Sequence, residues 1–245
     1  MLGREPYYRA DLARIHHLGF RFHADDCAPG VLAVLEPVGA AGGLVVEVGC
    51  GSGLLTRYLV EAGHRVIATD ASPAMLEIAK GYAPGVDEVR SVVLPDDPIP
   101  QADAIVSIGH VLSYLPDEGS IMRALEAIAD ALRPGGVVAL DLCDLAYAAA
   151  RSEPATIAWK HDDWALITET SVPAPDRFVR QMATFTPNDD GSWRRDDERH
   201  DNVMIDTTIV QGIMAARGVD VAIGRSFGHE RLPDGLHTVI GRKRG

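Results

Sequence analysis

Residues 45–59, VVEVGCGSGLLTRYL, hold the densest chemistry in this 245-residue sequence. Gly49, Gly51 and Gly53 alternate with Cys50 and Ser52 directly after an apolar run. Glycines at such a junction let the backbone turn freely and bring main-chain N–H groups against a ligand at a helix start. A dinucleotide loop reads G-x-G-x-x-G/A. Here the spacing is G-x-G-x-G, and Leu54 occupies the place of the third dinucleotide glycine. Glu47, two residues before the loop, is placed to receive an ammonium group. Asp70 ends the next apolar run, RVIATD, where a carboxylate accepts hydrogen bonds from two ribose hydroxyls. Adenosine and NAD both carry such a diol, so Asp70 alone does not discriminate between them. The loop spacing and Glu47 do.

Further candidates lie outside the loop. His110 follows a fourth apolar run, ADAIVSIG, and histidine is the commonest base near neutral pH. Two readings stand for it: a base, or a wall residue that shapes a pocket. In RRDDERHDNV, Glu198 and His200 share one strand face by period two. Facing a cavity, they are a base and its orienting carboxylate; facing out, they belong to a solvated charge run. Tyr8 and His16 are candidate wall residues near the N-terminus, and Trp164 is a candidate aromatic wall further on. Of the pair His16-His17, only one member is expected to face inward on a helix.

The elements that must position these groups follow from periodicity. Residues 9–36 read as helical, with a break at Pro29-Gly30. Strands are expected at 43–49, 65–70, EVRSVVL, 102–109 and 137–143, separated by helices over 52–63, after Ser72-Pro73, and through EGSIMRALEAIADALRPGG. Short strands that are apolar throughout, alternating with helices, make a doubly wound parallel sheet. Its ligand site lies beyond the strand C-termini, next to the first strand. After residue 150 the pattern turns β-rich, with a hairpin turn at Asn188–Gly191 and about three antiparallel strands expected. The organisation expected is an N-terminal helical cap (1–42), a cofactor-binding α/β core (43–150), an antiparallel β insertion on the acceptor side (151–205), and a C-terminal return to the core sheet (206–245).

Composition narrows the function classes. A net charge of −12 disfavours a nucleic-acid partner, which needs a basic face. No apolar run approaches the roughly 18 residues of a membrane span, and the N-terminus reads as having no secretion signal. Cys27, Cys50 and Cys143 are sparse and lack metal-ligand spacing, which suits a reducing cytoplasm and no metal site.

VVEVGCGSG, ATDASPAMLEIA, ADAIVSIGHVLSYL and ALRPGGVVALDL, in that order, resemble the successive motifs of class I S-adenosylmethionine-dependent methyltransferases. The resemblance covers about residues 43–143, and more weakly the last 40. It implies an α/β, doubly wound, mostly parallel seven-stranded sheet whose last strand is antiparallel. It implies Gly49, Gly51 and Gly53 beneath the methionine portion of the cofactor, Asp70 on its ribose and Met75 beside its adenine. Ser91 stands where many members have an acid on the adenine amine, and Val92 would offer its backbone N–H. Ile108, Gly109 and His110 would border the sulfonium; Glu47, Cys50 and Ala71 complete the expected cofactor set. The β-rich part is similar in layout to sugar N,N-dimethyltransferases, which implies a small methyl acceptor. The function expected is methyl transfer to an N, O or carboxylate group of a small molecule. The competing readings are an NAD-dependent oxidoreductase and a non-methylating cofactor-binding member of the same fold.

Overall fold

The computed structural model describes residues 7–40 and 42–245. Its centre is a seven-stranded sheet. Strands β1 (Leu44–Val48), β2 (Arg65–Asp70), β3 (Glu88–Ser91), β4 (Ala102–Ser107) and β5 (Leu132–Cys143) run parallel. The order across the sheet is β10-β11-β5-β4-β1-β2-β3, where β10 is Val219–Gly224 and β11 is Leu236–Lys243. The last strand, β11, is antiparallel to both of its neighbours, as expected of this fold. Both faces of the sheet are covered, which is why its strands read as unbroken apolar runs. Val45, Ala104 and Ala139 pack against α2 (Phe22–Gly39) and α3 (Leu54–Glu61). Val46, Ile105 and Val138 pack against α5 (Glu118–Ala131) and α7 (Val210–Ala216) on the other side.

Between β5 and β10 lies a separate antiparallel sheet of four strands rather than about three. These are β6 (Ala155–Lys160), β7 (Ala165–Ala174), β8 (Arg177–Pro187) and β9 (Trp193–Val203), in that spatial order. Helix α1 (Ala10–Gly19) lies between this sheet and α4 (Pro73–Tyr82), and Leu12, Ile15, Trp164, Leu166 and Met182 form the apolar cluster there. Among the described residues no helix is long and apolar enough to cross a membrane.

Three local expectations are corrected. The helical break falls at Phe20-Arg21, and α2 continues through Pro29 and Pro37. Burial of Cys27, Val31, Leu35 and Val38 at roughly 1.5–3 kcal/mol each outweighs the ~3 kcal/mol that an interior proline costs. Helix α5 ends at Ala131, ahead of the stop expected at Pro134-Gly135-Gly136, because Leu132 already pairs with Ala102 and the register then shifts before Val137 pairs with Ala104. The third strand stops at Ser91, short of Leu94.

Gly30 has a packing role in α2. A Cβ there would sit 2.6 Å from the Gly228 backbone nitrogen. Backbone cannot swing aside as a flexible side chain can. Gly30→Ala is therefore expected to lower unfolding stability by roughly 1–3 kcal/mol, read as a lower urea midpoint with an unchanged m-value.

Candidate functional site

The glycine loop leaves β1 and enters α3 with left-handed backbone at Gly49 (φ +69°), Gly51 (φ +53°) and Gly53 (φ +83°). The three are not equivalent. A Cβ on Gly49 would fall 2.4 Å from the Val111 side chain, so that glycine permits close packing. A Cβ on Gly51 would meet only the Met75 sulfur, at 4.0 Å, so that glycine faces open space. The loop is held from behind. The Cys50 N–H donates to the Thr69 carbonyl at 2.8 Å. Asp70 accepts the Gly51 N–H on Oδ2 and the Ser72 N–H on Oδ1, both at 2.8 Å. Burial raises the Asp70 pKa, and these backbone N–H groups oppose that rise. Each carboxylate oxygen keeps a lone pair for a further donor.

Glu47 lies behind the loop, 2% exposed, accepting the Thr56 hydroxyl on Oε2 at 2.6 Å. Burial without a cationic partner pushes its pKa up to about 8. A ligand ammonium would supply the missing counter-charge.

Opposite the loop, Asp141 on β5 is buried and accepts three donors. Its Oδ1 takes the His110 N–H at 2.6 Å, and its Oδ2 takes the Gly109 N–H at 2.8 Å and His23 Nε2 at 2.9 Å. This grip holds Gly109 (φ +88°) and His110 (φ +50°) in left-handed backbone. The His110 ring stacks on Tyr114, 5.7 Å between centroids and 14° between planes. Burial, reinforced by the Arg180 charge, holds the His110 pKa down at about 3; burial likewise holds His16 at about 4. Both rings are neutral at physiological pH. Tyr114 hydrogen-bonds the Tyr8 hydroxyl at 2.8 Å and accepts from Arg180. His110, Tyr114, Tyr8, His16 and Arg180 lie deep in the fold, yet each keeps some accessible surface. That combination marks the walls of an internal cleft.

The small sheet roofs this cleft. Glu198 is buried and accepts the Tyr8 N–H and the Arg9 N–H, each at 2.8 Å. It also bonds His200 Nε2 at 3.0 Å. The Tyr8 carbonyl in turn accepts the Ser72 hydroxyl at 2.8 Å. Tyr8 thus joins the roof to the start of α4.

Residues 45–136 match a family model described as "Methyltransferase domain". Over those residues the chain is similar to a methyltransferase domain. Its fold is that of a solved S-adenosylmethionine-dependent methyltransferase from Clostridium acetobutylicum, with a TM-score of 0.80 at 15% identity over 95% of this chain and 98% of that one. A sugar N-methyltransferase from a Streptoalloteichus species superposes with a TM-score of 0.76 at 18% identity, over 100% and 99% of the two chains. In sequence, a ubiquinone biosynthesis O-methyltransferase from Xanthomonas axonopodis pv. citri is 34% identical over 111 residues, 43% of this chain and 44% of that protein. The chain thus covers under half the length of the curated relatives it matches.

Within the matched residues, Glu47, Gly49, Cys50, Gly51, Gly53, Asp70 and Met75 gather around the loop, while Ala71 and Ser91 are exposed beside it. Ile108 and Gly109 lead into the His110 turn, and a Cβ on Gly109 would meet nothing within 4 Å. One expectation is corrected here. The Val92 N–H is not free for a ligand: it donates to the Asp70 carbonyl at 3.1 Å, continuing the β2–β3 ladder one residue beyond the strand. Trp164 is 3% exposed in the apolar cluster beneath α1, in contact distance of Gly19, and so serves packing instead of the cleft wall. His16 and His17 both contact protein, because α1 is sandwiched between two layers. His16 meets Tyr8, and His17 Nδ1 hydrogen-bonds Ser52 in the glycine loop at 3.0 Å.

His23, Tyr114, Asp141, Arg180 and Asn202 were not singled out from sequence. A signal existed for two of them. Asp141 interrupts the otherwise apolar VVALDLC. Arg180 shares the period-two register of Phe178, Met182 and Thr184, which are buried. A charge in such a register is the informative exception.

Glu47 makes the ligand-free protein pH-sensitive. Its pKa is about 8 when folded against 4.5 for the free side chain. The folded state therefore holds an extra proton between those values, and stability falls as pH rises through the window. His16 and His110 are largely neutral in both states above pH 7 and add little there, whereas His23, raised to about 10 by its bond to Asp141, loses stability in the same direction over this window in wild type and variant alike. Glu47→Gln is expected to remove about 1 kcal/mol of the stability lost between pH 7 and 8.5, seen in differential scanning calorimetry as a flatter dependence of Tm on pH.

Proposed function

We propose that the protein transfers a methyl group from S-adenosylmethionine to a nitrogen, oxygen or carboxylate group of a small molecule. The observation that carries this reading is the continuity of the two half-sites. The loop with Glu47 and Asp70 meets the His110–Tyr114 cleft at Gly109, whose missing side chain leaves the junction open.

The residues fit the cofactor's chemistry. Asp70 has lone pairs left for a diol, Gly51 presents bare backbone on its open side, and Glu47 lacks a cation. When bound, the cofactor supplies a methyl carbon activated by a sulfonium. The chain's own contribution is to orient the acceptor, exclude water and receive a proton. Orientation at reacting distance is worth up to about 7–11 kcal/mol. The roof of β8 and β9, fastened through Glu198 to Tyr8 and Arg9, excludes water. His110, fixed at its backbone by Asp141, is neutral in the ligand-free protein; it receives the acceptor's proton only when the bound acceptor offsets the burial and the Arg180 charge that hold its pKa near 3. His200 orients through Glu198 and supports the roof from behind. The net charge of −12 supports a small-molecule acceptor over a nucleic acid, and three buried free cysteines support a reducing, cytoplasmic setting.

Calorimetric titration with S-adenosylhomocysteine tests the cofactor half. Binding is expected, and Asp70→Ala is expected to weaken it at least tenfold, about 1.4 kcal/mol. No binding by the wild-type protein would refute the proposal. For the transfer half, His110→Ala is expected to keep homocysteine-product affinity near wild type and to lower turnover at least tenfold, read as S-adenosylhomocysteine released with a panel of amines, alcohols and acids. Unchanged turnover would make His110 a wall residue.

A further inference from the structure

Arg180 is a permanent cation set deep in the cleft, and no described carboxylate pairs with it. Among the described residues it forms no ion pair, whereas Arg9, Arg14, Arg57, Arg194 and Arg217 each have an acidic partner. Its Nη2 donates to the Tyr114 hydroxyl and to Asn202 Oδ1 at 3.3 Å. Its Nε is buried with no partner. Since a guanidinium has five N–H donors, most of its hydrogen-bonding capacity is unused. Asn202 is constrained by the same contact. An arginine only donates, so the asparagine must turn its oxygen toward it, and Asn202 Nδ2 is then also buried without a partner.

An uncompensated buried charge costs several kcal/mol. The fold surrounds this one with neutral groups: Tyr8, Tyr114, Tyr147, His16 and His110. The nearby carboxylates are already engaged, Asp141 with His23 and two backbone N–H groups, and Glu198 with His200 and two more. What the cluster lacks is a group that accepts hydrogen bonds, donates none and carries one negative charge.

We infer that Arg180 is the specificity-determining residue of the acceptor site, and that the methyl acceptor is a small molecule bearing a carboxylate, which Arg180 binds. A carboxylate matches the guanidinium fork in shape and has four lone-pair positions for its donors. One unpaired cation among neutral rings balances one negative charge; a phosphate dianion would require a second, and His23, the other cation beside these rings, is already paired with Asp141. The inference rests on the methyl-transfer reading only in calling the ligand an acceptor. Anion capture itself stands on Arg180 and Asn202.

The test is therefore a binding measurement that needs no methyl transfer. Wild-type protein, with and without S-adenosylhomocysteine, is titrated with sodium acetate and separately with acetamide at pH 7.5 and constant ionic strength. The arginine Nε–H signals are followed by nitrogen–proton NMR. One signal, missing from Arg180→Lys, is expected to move saturably with acetate, with acetate bound at least tenfold tighter than acetamide. Asn202→Asp places an internal carboxylate beside Arg180 with almost no change in shape. It is expected to raise Tm and to abolish the acetate response, and it keeps the test decisive should Arg180→Lys fold poorly. The inference is overturned if acetate moves no arginine signal, if acetamide moves it equally, or if Asn202→Asp binds acetate as the wild type does. Acetate capture without S-adenosylhomocysteine binding would instead refute the methyl-transfer proposal and leave the anion site standing.

Discussion

A carboxylate that accepts two backbone N–H groups from irregular chain is the interaction on which the site depends. It occurs three times around the cleft. Asp70 holds Gly51 and Ser72, Asp141 holds Gly109 and His110, and Glu198 holds Tyr8 and Arg9. In each case the segment is irregular backbone with N–H groups that no ladder can satisfy, and a buried unsatisfied donor costs about 1–3 kcal/mol. The acid fixes the segment and the segment satisfies the acid. Asp144 repeats the device away from the cleft, accepting from Ala146 and Thr207 and tying the exit of the small sheet back to the end of β5.

This arrangement has an electrostatic consequence. Asp141 and Glu198 each already hold a histidine and two backbone N–H groups, so among the described residues Arg180 is left without a carboxylate partner. The imidazoles beside it are then kept neutral by burial and by its charge. The cleft therefore combines one fixed positive charge with several neutral hydrogen-bonding groups. On the other side of Gly109, Glu47 lacks a cation as Arg180 lacks an anion. An unpaired cation and a buried carboxyl that burial keeps protonated lie on either side of one glycine turn.

Much of the fold was legible because both of its signals are local. Alternating apolar runs and helical repeats predict the parallel sheet, and the G-x-G-x-G loop with Glu47 and Asp70 marks the end of the sheet that binds. The misreadings have local causes too. Pro29-Gly30 reads as a helix break, yet Gly30 lets α2 pack against the backbone at 227–228. Val92 looks free because its partner, the Asp70 carbonyl, lies across the sheet.

The sequence by itself determined the α/β architecture, the position of the cofactor loop and the acids flanking it, since period and spacing are properties of the chain alone. It also placed Glu198 and His200 on a common strand face. Which way that face points was decided only by the tertiary structure. A one-residue change of register exchanges the two faces of a strand, and the polar stretch at 193–203 reads equally well either way. Packing of β8 and β9 over His110 and Tyr114 turned Arg180, Glu198, His200 and Asn202 inward. The neighbouring Arg195–Asp197 and Arg199–Asp201 pairs stayed at the surface.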